Sequence, residues 1–307
     1  MSSSCQIQYL TYQQIDKTKW NACIKDAGNG LIYAYSFYLD HMASQWDGLV
    51  LNDYETVMPL TWNKKYGIYY LYQPFLTAQL GVFGKRINAE TVKDFLEAVP
   101  AKFSYWDIYL NHANLFRIDD FNLYERKNFV LSLNRPYEEL YKSYKENIQR
   151  NIKKADQAKC RIEKGFAIEK LIKLAWQQMK THSKVSVNNA ERFGKLYKYL
   201  YEREKAITYG IVSAQNELLA SCAFFFSHNR AYYILVGNDP KSKSVGASHA
   251  LIDAFIKDHA GENLVLDFEG SDIPGLALFY SGFDATEENY AAIRLNKLPF
   301  YLRWIKK

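Results

Sequence analysis

The feature that most constrains this chain is that its two halves carry the same order of pattern elements. In the first half, residues 49–52 run into the turn Asp53-Tyr54-Glu55, and a second apolar run, 56–62, follows, which is a hairpin signal. Residues 67–72 then read as a strand, 88–99 as a helix, 105–110 as a strand and 128–133 as a last strand. The second half repeats the series: a hairpin over 207–213 and 218–227 around the turn 214–217, a strand over 231–236, a helix over 247–259, a strand over 264–268 and a closing strand over 290–295. Letters recur at an offset near 160, with Tyr69-Tyr70 matched by Tyr232-Tyr233, Asp107 by Asp267 and Phe121 by Phe283.

A hairpin, a third strand, a helix and two more strands form an α/β order in which the helix crosses between parallel neighbours. Two copies predict two similar α/β domains in tandem, over 1–134 and 135–307, each a mixed, mostly antiparallel sheet flanked by helices. The boundary is set near Asn134, because Arg135-Pro136 precedes a long helical segment and proline suits a first turn. In that segment Tyr141, Tyr144, Ile148, Ile152 and Ala155 fall on one face, and Lys142, Lys145, Arg150, Lys153 and Lys154 occupy the rest. The basic residues read either as a solvated face or as a polyanion contact. Two further helices, 169–181 and about 189–205, have no counterpart in the first half; Asn188 is the expected N-cap of the second, with Glu191 three residues on.

At 307 residues with 48% hydrophobic and 23% charged residues, the chain has the make-up of an ordinary folded protein, not of a coiled coil or a disordered one. Its longest strongly apolar run, 218–226, is about half of the ~20 residues a membrane-crossing helix needs. The start Met1-Ser2-Ser3-Ser4-Cys5-Gln6 lacks the basic and apolar regions of a secretory signal, so a cytoplasmic location is expected. Cys5, Cys23, Cys160 and Cys222 are scattered, which indicates neither a disulfide framework nor a metal site. The net charge of +6 favours an anionic ligand without identifying one. Aromatic residues reach 16%, with 25 tyrosines, many in alternating segments that suit strand packing or an aromatic groove.

The most informative stretch is 232–251, which runs strand, polar glycine-containing turn, helix. Such a turn presents backbone N–H groups at a helix N-terminus, where the dipole favours an anion. Gly246 allows close approach, Ser244 and Ser248 add hydroxyls, and Lys241 and Lys243 add charge, a combination suited to a pyrophosphate. There is no Walker A motif and no Gly-x-Gly-x-x-Gly fingerprint. His182, His228, His249 and His259 show no pattern with a serine or cysteine nucleophile, which argues against a triad hydrolase.

Lys243-Ser244-Val245-Gly246-Ala247-Ser248 resembles a relaxed form of the acyl-CoA loop of GNAT N-acyltransferases, with Lys where that loop has Gln or Arg and Ser248 where it has Gly or Ala. The tandem arrangement, the segment 147–155, and the runs 264–270 and 277–283 resemble the FemAB-like branch of that superfamily. The resemblance implies acyl-CoA as co-substrate, with no metal, contacted by Val236, Lys241, Lys243, Ser244, Val245, Gly246, Ala247 and Ser248. It implies direct N-acyl transfer to a small-molecule or peptide amine in the cleft between the domains, the first copy shaping the acceptor side. Tyr280 would protonate the leaving thiolate. Asp267 and Glu269 alternate along one expected strand, so either could accept the amine proton. The alternatives are a Fem-type transferase using aminoacyl-tRNA on a cell-wall precursor, against which Tyr280 stands where that group has a lysine, and an inactive binding module.

Overall fold

A computed structural model describes residues 6–180, 187–270 and 272–300. They divide into two compact units: residues up to Arg126 together with those from Asn289 onward, and Lys127–Glu288. The division is therefore not a single cut near Asn134, because one strand of each half belongs to the sheet of the other.

The first unit contains β1 (Ile7–Leu10), α1 (Lys17–Asp26), α2 (Ser36–Met42), β2 (Gln45–Leu51), β3 (Thr56–Lys65), β4 (Ile68–Tyr72), β5 (Phe83–Gly84), α3 (Ala89–Glu97), β6 (Phe103–Tyr109) and β7 (Leu123–Arg126). The second contains β8 (Phe129–Ser132), α4 (Tyr137–Ser143), α5 (Glu146–Gln157), β9 (Arg161–Lys164), α6 (Ile168–Lys180), α7 (Val187–Tyr201), β10 (Ala206–Val212), β11 (Leu218–Ser227), β12 (Arg230–Asn238), α8 (Ser242–Val245), α9 (Ala247–His259), β13 (Val265–Asp267), α10 (Pro274–Ser281) and β14 (Thr286–Glu287). The chain then returns to the first sheet as β15 (Tyr290–Asn296). No described helix is long and apolar enough to cross a membrane.

The first sheet has the order β1-β2-β3-β4-β6-β15-β7, with β5 beside β3, and the second β14-β8-β13-β12-β11-β10-β9. In each, one pair is parallel, β4 with β6 and β12 with β13, and the other pairings are antiparallel. The two sheets thus share one plan, but the closing strands are exchanged: β8, the last strand expected in the first half, completes the second sheet, and β15 completes the first. The helix after the third strand crosses over in each unit and buries an apolar face. Val92, Phe95 and Leu96 of α3 pack on Leu71, Trp106 and Ile293, while Leu251, Ile252 and Phe255 of α9 pack on Phe224, Tyr233 and Leu266. Phe224 and Phe255 stack with ring centroids 3.7 Å apart.

The long basic helix expected after Pro136 is two helices. Tyr144 and Lys145 are extended, and the Lys145 N–H donates to the Gly282 carbonyl (2.9 Å) instead of continuing a helical ladder. Tyr144 and Ile148 nevertheless point into the same core, which is why their spacing looked continuous. Asn188 lies inside α7 rather than capping it, and Tyr201 is that helix's last residue. Thr181, His182 and Cys5 lie outside the described residues.

Candidate active site

The site begins with a parting of strands. β12 and β13 pair only from Arg230 opposite Val265 to Tyr232 opposite Asp267. Beyond that point β12 continues through Asn238, bonded to β11 on one edge and, among the described residues, to no strand on the other. β13 leaves because its next residues turn: Phe268 N–H donates to the Phe129 carbonyl of β8 (3.0 Å), and Glu269 and Gly270 follow at φ of +63° and +81°. Asp267 anchors the departure. Its carboxylate is buried and accepts from Arg230 Nη1 (2.7 Å), Asn128 Nδ2 (3.0 Å) and the Glu269 N–H (2.8 Å). Arg230 in turn donates twice to Glu288, at 2.7 and 2.9 Å.

Asp267 and Glu269 therefore do not alternate on one strand as their spacing suggested. β13 ends at Asp267, and Glu269 sits in left-handed backbone, where the two-residue period of a strand no longer applies. With three partners for its oxygens, Asp267 is a structural carboxylate, and the proton-accepting role expected of it is withdrawn. Glu269 is half-buried beside Tyr280.

Tyr280 lies on α10, 7% exposed, its ring stacked on Phe268 at 4.6 Å and 24°. Burial, reinforced by the Glu269 charge, pushes its phenol well above the ordinary value, so it stays protonated. Its hydroxyl bonds to none of the described residues.

The far end of β12 is held by close packing. A side chain at Gly237 would come within 2.6 Å of the Ala175 backbone nitrogen of α6, and Asn238 N–H donates to Gln178 Oε1 (2.8 Å). The chain then turns through Asp239, whose oxygens accept from Lys241 N–H and Ser242 N–H (2.9 Å each), into the single turn of α8. Gly246, at φ +73°, ends α8 and starts α9. Any side chain there would collide with the Asn151 carbonyl of α5. Its freedom is thus used to seat α9 against α5, and a bulky substitution tests packing before it tests ligand binding.

The donors expected from the sequence divide into committed and open groups. Lys241 Nζ is paired with Glu217 (2.8 Å), Ser244 Oγ donates to the Lys241 carbonyl (2.8 Å), and Ser248 Oγ donates to Asn238 Oδ1 (2.7 Å). The expectation that these three side chains are free anion ligands is corrected accordingly, each having found a partner within the turn or across the hairpin. Val236 and Val245 are half-buried against the core and Ala247 is fully buried. Lys243 is exposed and pairs with no acid among the described residues.

Packing of α5 against α8 and α9 adds a cation from the basic set that the sequence reads either as a solvated face or as a polyanion contact. Gly246 lies against Asn151, and Lys154 follows one turn along α5. Burial, with the Lys154 charge acting in the same direction, lowers the His249 imidazole to about 4, so His249 is neutral at physiological pH. The His249 ring meets Phe279 edge-on at 4.9 Å. The i, i+3 pattern of apolar residues on α5 was visible; that its basic side borders the α8–α9 turn is a tertiary fact. The result is an open β-strand edge leading to a helix start with Lys243 and Lys154 beside it, and a protonated tyrosine next to a carboxylate where the strands part. Such an arrangement suits an extended amide-bearing ligand with an anionic end.

Residues 142–274 match the model of the GNAT-type acetyltransferase domain. No curated protein matches the chain. Among solved structures, FemX superposes with a TM-score of 0.67 at 12% identity, covering 98% of this chain and 100% of its own. L-PGS from Bacillus licheniformis gives 0.57 at 11% identity over 94% and 95% of the two chains. The C-terminal domain of a putative lysylphosphatidylglycerol synthetase from Agrobacterium fabrum gives 0.59 at 8% identity over 92% of each. At these identities the likeness is one of fold.

Proposed function

With residues 142–274 forming a GNAT-type acetyltransferase domain in a chain of FemX-like fold, we propose that this protein moves an acyl group from an acyl-CoA donor to an amine acceptor. The observation that carries this reading is the edge of β12 beyond the parting at Tyr232, which no strand among the described residues covers on its way to the α8–α9 turn. The amides of the pantetheine arm would add to that edge as a strand does, and the phosphates would lie at the start of α9 beside Lys243 and Lys154. The thioester then falls near the parting, on the side of Tyr280 and Glu269.

The acceptor nitrogen attacks the thioester carbon, a C–N bond forms, the C–S bond breaks, and the amine loses a proton while the thiolate gains one. Tyr280 supplies the second proton, and Glu269 receives the first directly or through water. Asp267 acts at one remove, holding Arg230 and Asn128 so that β13 parts from β12 at the right residue. The acceptor is a small molecule or peptide bearing an amine.

Titration calorimetry with CoA, acetyl-CoA and a longer acyl-CoA tests the donor site. Reversing both exposed cations, Lys154→Glu with Lys243→Glu, is expected to weaken binding about tenfold or more, and unchanged affinity removes the phosphate site from this turn. Tyr280→Phe is expected to lower turnover about 100-fold with CoA affinity unchanged; full activity refutes the proton-donor role.

One observation favours a second reading, with aminoacyl-tRNA as the donor. Lys142 on α4, Lys145 at the link between the helices, and Arg150, Lys153 and Lys154 on α5 are all exposed and form no ion pair with a described acid. Loss of tRNA binding in Arg150→Glu with Lys153→Glu, in a protein that ignores CoA, would turn the assignment to that donor.

A further inference from the structure

In the second unit a cavity of about 350 Å³ opens between α4, α5 and α9, away from the β12 edge. Tyr137 and Tyr141 wall one side, Ile152 contributes an apolar surface, and Asp156, Asp253 and Lys257 supply charge. Asp253 is only 7% exposed. Both its oxygens lie near the Tyr137 hydroxyl, at 3.0 and 3.1 Å, but one hydroxyl has one proton, and a carboxylate offers about four acceptor sites. Among the described residues no Lys, Arg or His forms an ion pair with it, whereas the other two buried acids, Asp47 and Asp267, pair with Lys102 and Arg230. The Tyr144 hydroxyl is buried beside the same carboxylate and interacts with it, but falls outside good hydrogen-bond geometry, so it satisfies the charge only weakly.

The aromatic walls suit a positive charge. Lys257 Nζ lies 5.4 Å from the Tyr137 ring centre, and the Tyr137 and Tyr141 rings stand 5.7 Å apart, inclined at 46°. An under-compensated carboxylate, tilted tyrosine faces and an apolar wall in one cavity are complementary to a compact ammonium ion on a short hydrocarbon body. We propose that this cavity binds a primary alkylammonium group, its charge on Asp253 and its chain against Ile152. Lys257 is the cation the ligand competes with. Burial raises the Asp253 carboxyl to about 6, with Tyr137 and Tyr144 opposing the shift and Lys257 and Asp156 acting from α9 and α5. Tyr141 faces it from α4.

The test is calorimetric titration of the whole protein with n-butylammonium, n-butanol and butyrate at pH 7.5, a pH chosen ~1.5 units above that carboxyl so that it is ionised. Butylammonium is expected to bind about tenfold or more tighter than butanol, an advantage of one ionic contact. Asp253→Asn should erase that preference, and Lys257→Met should strengthen ammonium binding severalfold. Lowering the pH through 6 should weaken it. The absence of saturable butylammonium binding, an equal affinity for butanol, or a preference for butyrate overturns the proposal. A melting transition for Asp253→Asn like that of the parent protein ensures that lost binding reflects the carboxylate, and the surface variant Lys257→Met carries the test if that variant does not fold.

Discussion

The two units use one strand order and treat the same gap in opposite ways. In the first, Tyr72 stands opposite Asp107 across the parallel pair; in the second, 160 residues on in each strand, Tyr232 stands opposite Asp267. After Tyr72, β4 stops and its own loop fills the gap: Gln73 Oε1 accepts from the Tyr109 N–H (2.9 Å) and Leu80 N–H donates to the Tyr109 carbonyl (3.0 Å). After Tyr232 it is β13 that stops, while β12 runs on to Asn238 with no strand, among the described residues, on that edge until Gln178 Oε1 accepts from the Asn238 N–H. A parallel pair that parts leaves backbone groups to be satisfied, and either the chain or a ligand can satisfy them. The first unit has spent its gap on itself; the second keeps it open.

The matched aspartates give the sharpest contrast. Asp267 and Arg230 are a buried pair, 1% and 11% exposed, whereas Asp107 meets Arg294 at 3.0 Å with the arginine 60% exposed. Arg230→Met should cost about 3–5 kcal/mol by stranding Asp267, and Arg294→Met less than about 1 kcal/mol, as read by denaturant unfolding. Equal losses would break the comparison. Next come two glycines with positive φ. Gly246→Ala combines left-handed strain with a collision against Asn151 and should cost about 3 kcal/mol, while Gly67→Ala, at φ +82° in open space, should cost about 1 kcal/mol. Gln73→Ala leaves the Tyr109 N–H without its acceptor and should cost about 1–3 kcal/mol; a gain in affinity for an extended amide ligand in the first unit would show that its gap can be reopened.

A further effect is in pH. Burial raises the Asp253 carboxyl from 3.8 to about 6, so the folded state binds its proton more tightly than the unfolded chain does. The stability this contributes is complete below 3.8 and lost as the pH climbs through 6. Asp253→Asn should flatten the stability profile across that window, measured as unfolding midpoints between pH 4 and 7. A parallel profile for the two proteins would show that Asp253 does not titrate there.

The hairpins, third strands and crossover helices could be read from the sequence because alternation, turn residues and the 3.6-residue period are local properties. Sheet membership could not. The apolar alternation of Phe129–Ser132 and of Tyr290–Asn296 is the same whichever sheet receives it, so each was assigned to its own half. The turn expected over 237–246 gives its first two residues to β12 and Ser242–Val245 to a helical turn, and Lys241 pairs with Glu217 and Ser248 with Asn238 through contacts that only the folded hairpin brings together. Glu269 failed as a strand residue because the backbone turns left-handed there, and the glycine that follows was the one local hint. Lys154 was legible as a helix-surface cation but not as a neighbour of α9, since that depends on Gly246 lying against Asn151.

The strand exchange also sets a timetable. On the ribosome, the second sheet has all its strands once Glu287 has emerged, because β8 is made before the strands it joins. The first sheet lacks the strand between β6 and β7 until Asn296 is synthesised, although β6 and β7 were completed by Arg126. Two exposed strand edges must therefore wait through the making of an entire second unit, an interval in which they are open to wrong partners. A fragment ending near Asn134 keeps that vacancy permanently and removes none of its cause, so it should aggregate where a chain reaching Asn296 folds.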